Sequence, residues 1–145
     1  NELKKHNVPC ILDGGSWKPG LENFIENIDI AICSNDFLPP NCKSKTDLAN
    51  YLNYCGVNKT IITRGNNPVL VFTNNNNYEL PVAKIRVKDT LGAGDIYHGA
   101  FCYYYALHKN LNTALLCAAN VAGFSCGYNG TRQWMQHFAH NTVRV

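Results

Sequence analysis

The residues best suited to chemistry form one run, Val87-Lys88-Asp89-Thr90-Leu91-Gly92-Ala93-Gly94-Asp95, a glycine-containing loop that leads straight into a helical pattern. Gly92, Ala93 and Gly94 carry little or no side chain, so a ligand can come close to their backbone N–H groups. The first turn of the following helix adds N–H donors without intrahelical partners and the positive end of the helix dipole. Together these make an anion site suited to a phosphate, or to the charge that develops as a phosphoryl group is transferred. Asp95 does not fit a loop that only binds phosphate, because a carboxylate beside bound phosphates costs electrostatic energy. It fits if that carboxylate accepts the proton of a hydroxyl attacking phosphorus. The plainer reading, Asp95 as a helix N-cap and the glycines as a turn, stays open beside it. A dinucleotide-binding fingerprint fares worse, since Gly92, Gly94 and Asp95 lack the Gly-x-Gly-x-x-Gly spacing after an early strand.

The elements that must hold this loop can be read from hydrophobic period and punctuation. Val8 to Leu12 predicts a buried strand stopped by Asp13-Gly14-Gly15, and Pro19 opens a helix with Leu21, Phe24, Ile25 and Ile28 on one face. Ile30 to Cys33 is a second strand, leaving through Ser34-Asn35-Asp36. Ser44 caps a helix to about Cys55, with Asp47 at the capping-box position and Gly56 ending it. Thr60 to Thr63 is a third strand, followed by a turn over Arg64-Gly65-Asn66-Asn67-Pro68. Val69 to Thr73 and Tyr78 to Ala83 form a hairpin around Asn74 to Asn77, a solvated polar tip. Asp95 to His108 repeats Ile96, Ala100, Phe101, Tyr104 and Leu107 at helical spacing. Thr113 to Cys126 is apolar almost all round, as in a helix buried in a larger assembly. Strands alternating with helices, then a hairpin and two helices, give an α/β layered fold with a largely parallel sheet flanked by helices.

Asp89-Thr90-Leu91-Gly92-Ala93-Gly94-Asp95 with Gly99-Ala100 resembles the second signature of the PfkB (ribokinase-like) carbohydrate kinases. Val121-Ala122-Gly123, Cys126-Gly127 and Gly130 resemble the C-terminal end of the ketohexokinase and fructokinase branch. Ile11 to Trp17 and Thr60 to Gly65 fall in family order, so the resemblance covers essentially the whole chain but only the C-terminal half of such a kinase. The opening residue, Asn1 rather than Met, agrees with a piece of a longer protein. The resemblance implies a ribokinase-like fold in which residues 1–145 are the nucleotide-binding and catalytic part, without the N-terminal sugar-binding part and lid. It implies an ATP-dependent sugar kinase with Asp95 as catalytic base and Gly92, Ala93 and Gly94 as the anion hole. Thr63 and Gly65 match the turn that touches the nucleotide phosphates, and Ala119 and Asn120 lie on the helix beside the adenine. Asn120 also stands out by itself, because an amide in an apolar helix must find a partner, and a hydrogen bond inside the core is the other account. Magnesium ATP and a small sugar are the implied partners. A monovalent cation such as K+ is implied near Asp89 and the carbonyls of Leu91, Ser125 and Gly130, and a homodimer for the full-length protein. The family's Asn-x-x-Glu motif should fall near Ser34-Asn35-Asp36-Phe37-Leu38, yet no Glu is present there and Asp36 is the only stand-in. That departure keeps a second reading alive: a non-catalytic nucleotide-binding module, a degenerate kinase or an inactive fragment.

Composition narrows the remaining classes. Of 145 residues, 46% are hydrophobic and 16% charged, which excludes intrinsic disorder and a coiled coil. The formal charge of +3 comes from scattered residues, which argues for neither nucleic acid nor an anionic membrane, and no apolar run reaches the roughly 20 residues of a spanning helix. The seven cysteines (Cys10, Cys33, Cys42, Cys55, Cys102, Cys117, Cys126) contain no Cys-x-x-Cys, so the expectation is buried thiols in a reducing cytoplasm rather than disulfides or zinc. The Asn58 and Asn129 sequons read as accidents of an Asn-rich chain. His137 and His140 are three apart but have no third ligand at metal spacing, and His98 reads as a packed or surface histidine. Tyr103, Tyr104 and Tyr105 point in different directions and cannot form one stacking platform, and Trp17 and Trp134 are packing anchors.

Overall fold

The computed structural model describes residues 2–138, and the chain divides between Glu79 and Leu80 into two units. The first unit opens with α1 (Glu2–Lys5), followed by β1 (Ile11–Gly14), β2 (Ile30–Ser34), α2 (Lys45–Tyr54), β3 (Lys59–Arg64), β4 (Asn67–Thr73) and β5 (Asn77–Leu80). The strands lie in sequence order, β1-β2-β3-β4-β5. β1, β2 and β3 run parallel, with Ile11 opposite Ile30 and Ile30 opposite Lys59. β4 returns antiparallel, with Ile61 opposite Val71, so the sheet is mixed. Ile30, Ala31, Ile32 and Cys33 of β2 are all buried, as a strand covered on both faces requires. The core joins Ile25, Ile28, Ala31, Cys33, Phe37, Leu48, Leu52, Val57 and Ile62. Trp17 anchors its rim, with its ring edge-on to Phe37 at 5.8 Å and to Tyr51 at 6.0 Å.

Local chemistry explains these boundaries. α2 starts where expected because Ser44 and Asp47 form a complete capping box: Asp47 N–H donates to Ser44 Oγ at 3.0 Å, and Ser44 N–H donates to Asp47 Oδ2 at 2.9 Å. Several expectations need correction. β1 begins at Ile11 rather than Val8, because Asp29 holds the Cys10 N–H at 2.8 Å and so fixes the parallel register one residue later; Val8 is 47% exposed. Gly14 does not stop that strand but belongs to it. A Cβ there would come within 3.0 Å of Cys33 Sγ and 3.2 Å of Phe37, so glycine lets β1 lie close to β2. The segment after Pro19 forms two 3-10 turns, Leu21–Asn23 and Ile25–Asn27, instead of a helix. Their i→i+3 bonds (Phe24 N–H to Leu21, Ile28 N–H to Ile25) turn Ile25 and Ile28 inward and leave Phe24 64% exposed. Asn67 and Pro68 likewise belong to β4 rather than to the preceding turn, and β5 ends at Leu80, before Pro81. The Asn tip is tethered as well as solvated: Asn74 accepts from Asn53 of α2 at 2.6 Å and donates to Asn58 at 3.0 Å.

The second unit consists of irregular chain to Gly92, then α3 (Ala93–His108), α4 (Leu111–Ser125) and α5 (Met135–Phe138). Lys109, in the left-handed region at φ +53°, and Asn110, whose side chain accepts from Thr113 N–H at 2.9 Å, join α3 and α4 into a packed hairpin. α3 buries Tyr97 and Phe101, and the Tyr97 hydroxyl donates to the Leu115 carbonyl at 3.4 Å. Leu107, expected on the packed face, is 61% exposed. α4 buries one side through Ala114, Leu115, Cys117, Ala118, Val121, Ala122 and Ser125, while Leu116 and Asn120 are exposed; it is a one-sided helix despite its apolar composition. All seven cysteines are free, three of them buried and none fully exposed. Among the described residues no helix is long and apolar enough to cross a membrane.

Candidate functional site

The glycine loop is built by backbone geometry. Gly92 is the N-cap of α3 with φ +72°, a conformation that costs any residue with a Cβ, and a Cβ there would also meet Thr131 Cγ2 at 2.8 Å. Ala93, Gly94 and Asp95 are the first three residues of α3, and their N–H groups lie at its N-terminal end. The Ala93 N–H is drawn back to the Thr90 carbonyl at 3.1 Å. Asp95 is exposed at the third helical position and is not the cap. The plainer account of this carboxylate, as the residue that starts the helix, is therefore set aside by geometry: Gly92 occupies that place. Gly94 and Gly99 have open space where a side chain would be, and the exposed Gly94 leaves the approach to the loop clear.

Asp89 holds the loop to the chain after α4. Its Oδ1 accepts the Leu91 N–H at 2.9 Å and its Oδ2 accepts the Gly130 N–H at 2.7 Å, joining residues 41 apart. These bonds to the ionised form keep the carboxyl below the ordinary aspartate range, the Leu91 bond contributing most. The Lys88 and Asp89 N–H groups both donate to the Cys126 carbonyl, at 2.8 and 3.2 Å. The Ser125 carbonyl already accepts the Tyr128 N–H at 3.1 Å, and the Ser125 hydroxyl donates to the Ala122 carbonyl at 2.7 Å. The structure thus brings Asp89, Leu91, Gly92 and Gly130 together. Ala119 and Asn120 lie further along α4, where Asn120 is exposed; water meets the need of its amide, and the requirement for a partner in the core falls away.

Thr63 and Gly65 belong to the first unit, at the carboxyl end of β3. Thr63 Oγ1 donates to the Cys33 carbonyl at 3.3 Å, and Gly65 turns into β4 at φ +59°. The same end of the parallel strands, where ligands of open α/β sheets gather, carries Ser34, Asn35 and Asp36. Two residues not singled out by spacing shape this turn. Ser34 Oγ donates to the Gly15 carbonyl at 2.6 Å and accepts the Asp36 N–H at 3.2 Å, and Lys45 Nζ donates to the Asn35 carbonyl. The Gly15 and Lys45 contacts join segments 19 and 10 residues apart, so no local pattern marks them.

The remaining candidates have packing roles. The ring of His137 stacks on Tyr128 at 4.9 Å, and His140 lies outside the described residues. His98 is half-buried, with its Nδ1 buried and unbonded. Among the described residues no group of three or more His, Cys, Asp or Glu is gathered as for a metal ion. Tyr105 stacks on Phe101 at 5.3 Å while Tyr103 meets Tyr104 edge-on, so the three tyrosines form no common platform. Trp134 is 8% exposed and packs edge-on to Phe138 at 5.4 Å.

Comparison with known proteins gives the family and the fold. The sequence profile of the pfkB family carbohydrate kinases matches residues 2–137. Deoxyribokinase of Salmonella typhi is 32% identical over 77 residues, which is 53% of this chain and 25% of that protein. Ribokinase of Thermotoga maritima superposes with a TM-score of 0.72 at 22% identity, covering 97% of this chain and 52% of the ribokinase. A protein assigned as Ribokinase II of Escherichia coli, in complex with ATP and Mg2+, gives 0.68 at 21% identity, covering 81% of this chain and 42% of that one. The two solved structures establish an α/β ribokinase-like fold, and this chain spans about half of the ribokinase's length.

Proposed function

The chain belongs to the pfkB family of carbohydrate kinases, and we propose that its protein is an ATP-dependent sugar kinase that transfers the γ-phosphoryl of ATP to a carbohydrate hydroxyl. The observation that carries this reading is the opening of α3: Gly92 caps it in the left-handed region, and an exposed Asp95 stands three residues on. In this reading Asp95 takes the proton from the attacking hydroxyl, within the same turn whose N–H groups face the charge of the transferring phosphoryl, those of Gly92 and Gly94 directly and that of Ala93 once it leaves the Thr90 carbonyl. Thr63 and Gly65 hold the nucleotide phosphates, and Ala119 and Asn120 flank the adenine.

The ATP and Mg2+ bound to the Escherichia coli relative support the same cofactors here. Mg2+ would neutralise charge on the β- and γ-phosphates. The Asn35–Asp36 turn would receive it, with an exposed Asp36 carboxylate as the hard oxygen donor such an ion takes. A monovalent cation such as K+ would have to share the Asp89 carboxylate with the Leu91 and Gly130 N–H groups, and the Ser125 carbonyl with Tyr128. Comparing turnover in K+ with turnover in Li+ tests it. For the acceptor we favour a fructose-like ketose, on Val121-Ala122-Gly123, Cys126-Gly127 and Gly130. The seven free thiols support a reducing cytoplasm as the location, and a homodimer is the assembly we assign to the full-length protein.

A second reading, a nucleotide-binding module without transfer, has one observation behind it: no glutamate lies between Asn35 and Leu38. ATP turnover by the full-length protein over a panel of sugars, with Asp95→Asn in parallel, separates the two. Turnover with one sugar that is lost in the variant while nucleotide still binds supports the kinase. Nucleotide binding without turnover on any sugar supports the module.

A further inference from the structure

The N–H groups at the start of α3 are useful only if the loop that presents them is fixed, and the Asp89 carboxylate and the Cys126 carbonyl both hold it. A further attachment runs through Thr131. A Cβ on Gly92 would come within 2.8 Å of Thr131 Cγ2, so the threonine methyl lies directly against the helix cap. Thr131 is itself exposed, and packing does not hold it in place. What holds it is its carbonyl, which accepts the Trp134 indole N–H at 2.8 Å. Trp134 in turn is 8% exposed, edge-on to Phe138 at 5.4 Å, and Phe138 meets Phe124 of α4 at 5.4 Å. A buried indole N–H normally takes a partner, but this one takes the carbonyl of the residue that abuts the cap.

We propose that Trp134 is a positioning residue for the phosphate-facing loop, holding Thr131 against Gly92 through its indole N–H and so referring the loop to α4. The proposal deepens the kinase reading and rests on it for its effect on rate. Its structural half does not, because Gly130-Thr131 is then fixed at two points, by Asp89 at the Gly130 N–H and by Trp134 at the Thr131 carbonyl.

The test is Trp134→Phe in the full-length protein, which keeps an aromatic ring and removes the donor. Hydrogen exchange is read at the Leu91 and Ala93 amides, which are bonded to Asp89 and to the Thr90 carbonyl. Loss of one hydrogen bond should speed exchange at both by about tenfold while amides in the middle of α3 keep their protection. With a sugar that turns over, kcat should fall by a similar factor and the sugar KM should not move, because the interaction lost is one made to the transition state. Unchanged exchange at Leu91 and Ala93 in a folded variant overturns the proposal. If Trp134→Phe does not fold, Thr131→Ala removes the methyl against Gly92 and leaves the indole bond. Faster exchange at Ala93 then supports the proposal, and unchanged exchange overturns it. A wild-type protein with no turnover on any sugar sinks the kinase reading, and the exchange data still decide the role of Trp134.

Discussion

At Asp95 and Asp89 the same side-chain type does opposite work. Asp95 stands exposed at the third position of α3, so replacing its carboxylate with an amide removes the proton acceptor proposed for the kinase reading and disturbs little packing. Asp95→Asn should lower kcat by roughly a hundredfold to ten-thousandfold. The favourable charge at a helix N-terminus that is also lost is worth only about 0.3–1 kcal/mol, so thermal unfolding should show a small change beside a large kinetic one. Asp89 instead spends both oxygens on backbone N–H groups, and its carboxyl sits below the unfolded value of 3.8. Its contribution to stability is therefore complete above that pH and is lost as pH falls through the lower, folded value. Unfolding midpoints of wild type and Asp89→Asn should differ at pH 7 and converge as the pH drops below 4. An offset that stays constant down to pH 2 would contradict the clamp. Cys33 gives a third expectation: burial pushes its thiol up to about 12, with Asp13 adding to the rise, so it should resist a thiol reagent at pH 8 in the folded protein. Labelling followed by mass mapping reads this directly.

The elements stand on a few local devices whose removal is measurable. The capping box of α2 pairs Ser44 with Asp47, and Ser44→Ala should cost about 1 kcal/mol in urea unfolding without changing the m-value. Gly92 carries two demands, a positive φ and the nearness of Thr131, so Gly92→Ala should cost about 1–3 kcal/mol. Adding Thr131→Ser, which removes Cγ2, should recover the steric part and leave the backbone part. α2 makes the β2–β3 crossover an ordinary α/β unit, the β1–β2 crossover runs through two 3-10 turns, and β4 then reverses direction through Gly65. That reversal makes the sheet mixed where the strand pattern alone pointed to a largely parallel one.

For the whole molecule, length is the controlling fact. The chain spans about half of the ribokinase that shares its fold, and a quarter of the deoxyribokinase is aligned with it. A kinase cleft must close over both substrates to exclude water. On the proposed kinase reading, residues 1–145 alone should show no measurable ATP turnover with any sugar on which the full-length protein proves active. Turnover by the short chain at a comparable rate would show that everything needed for transfer lies within it.

Sequence by itself determined the family, the glycine loop and most elements, because those are written in local signals: glycines at fixed offsets, a Ser44–Asp47 cap, and hydrophobic runs of strand and helix period. It also placed Asp89 and Gly130 among the site positions, though as cation ligands by resemblance rather than as partners in a hydrogen bond. What tertiary structure decided is whatever depends on residues distant in the chain. It made Gly14 part of a strand, because Cys33 and Phe37 press on it from β2 and the turn beyond. It turned Phe24 outward and exposed Asn120, because a 3-10 turn and a one-sided helix leave outer faces that composition does not reveal. It set Thr131 against Gly92, a contact across 39 residues for which no local spacing carries a mark.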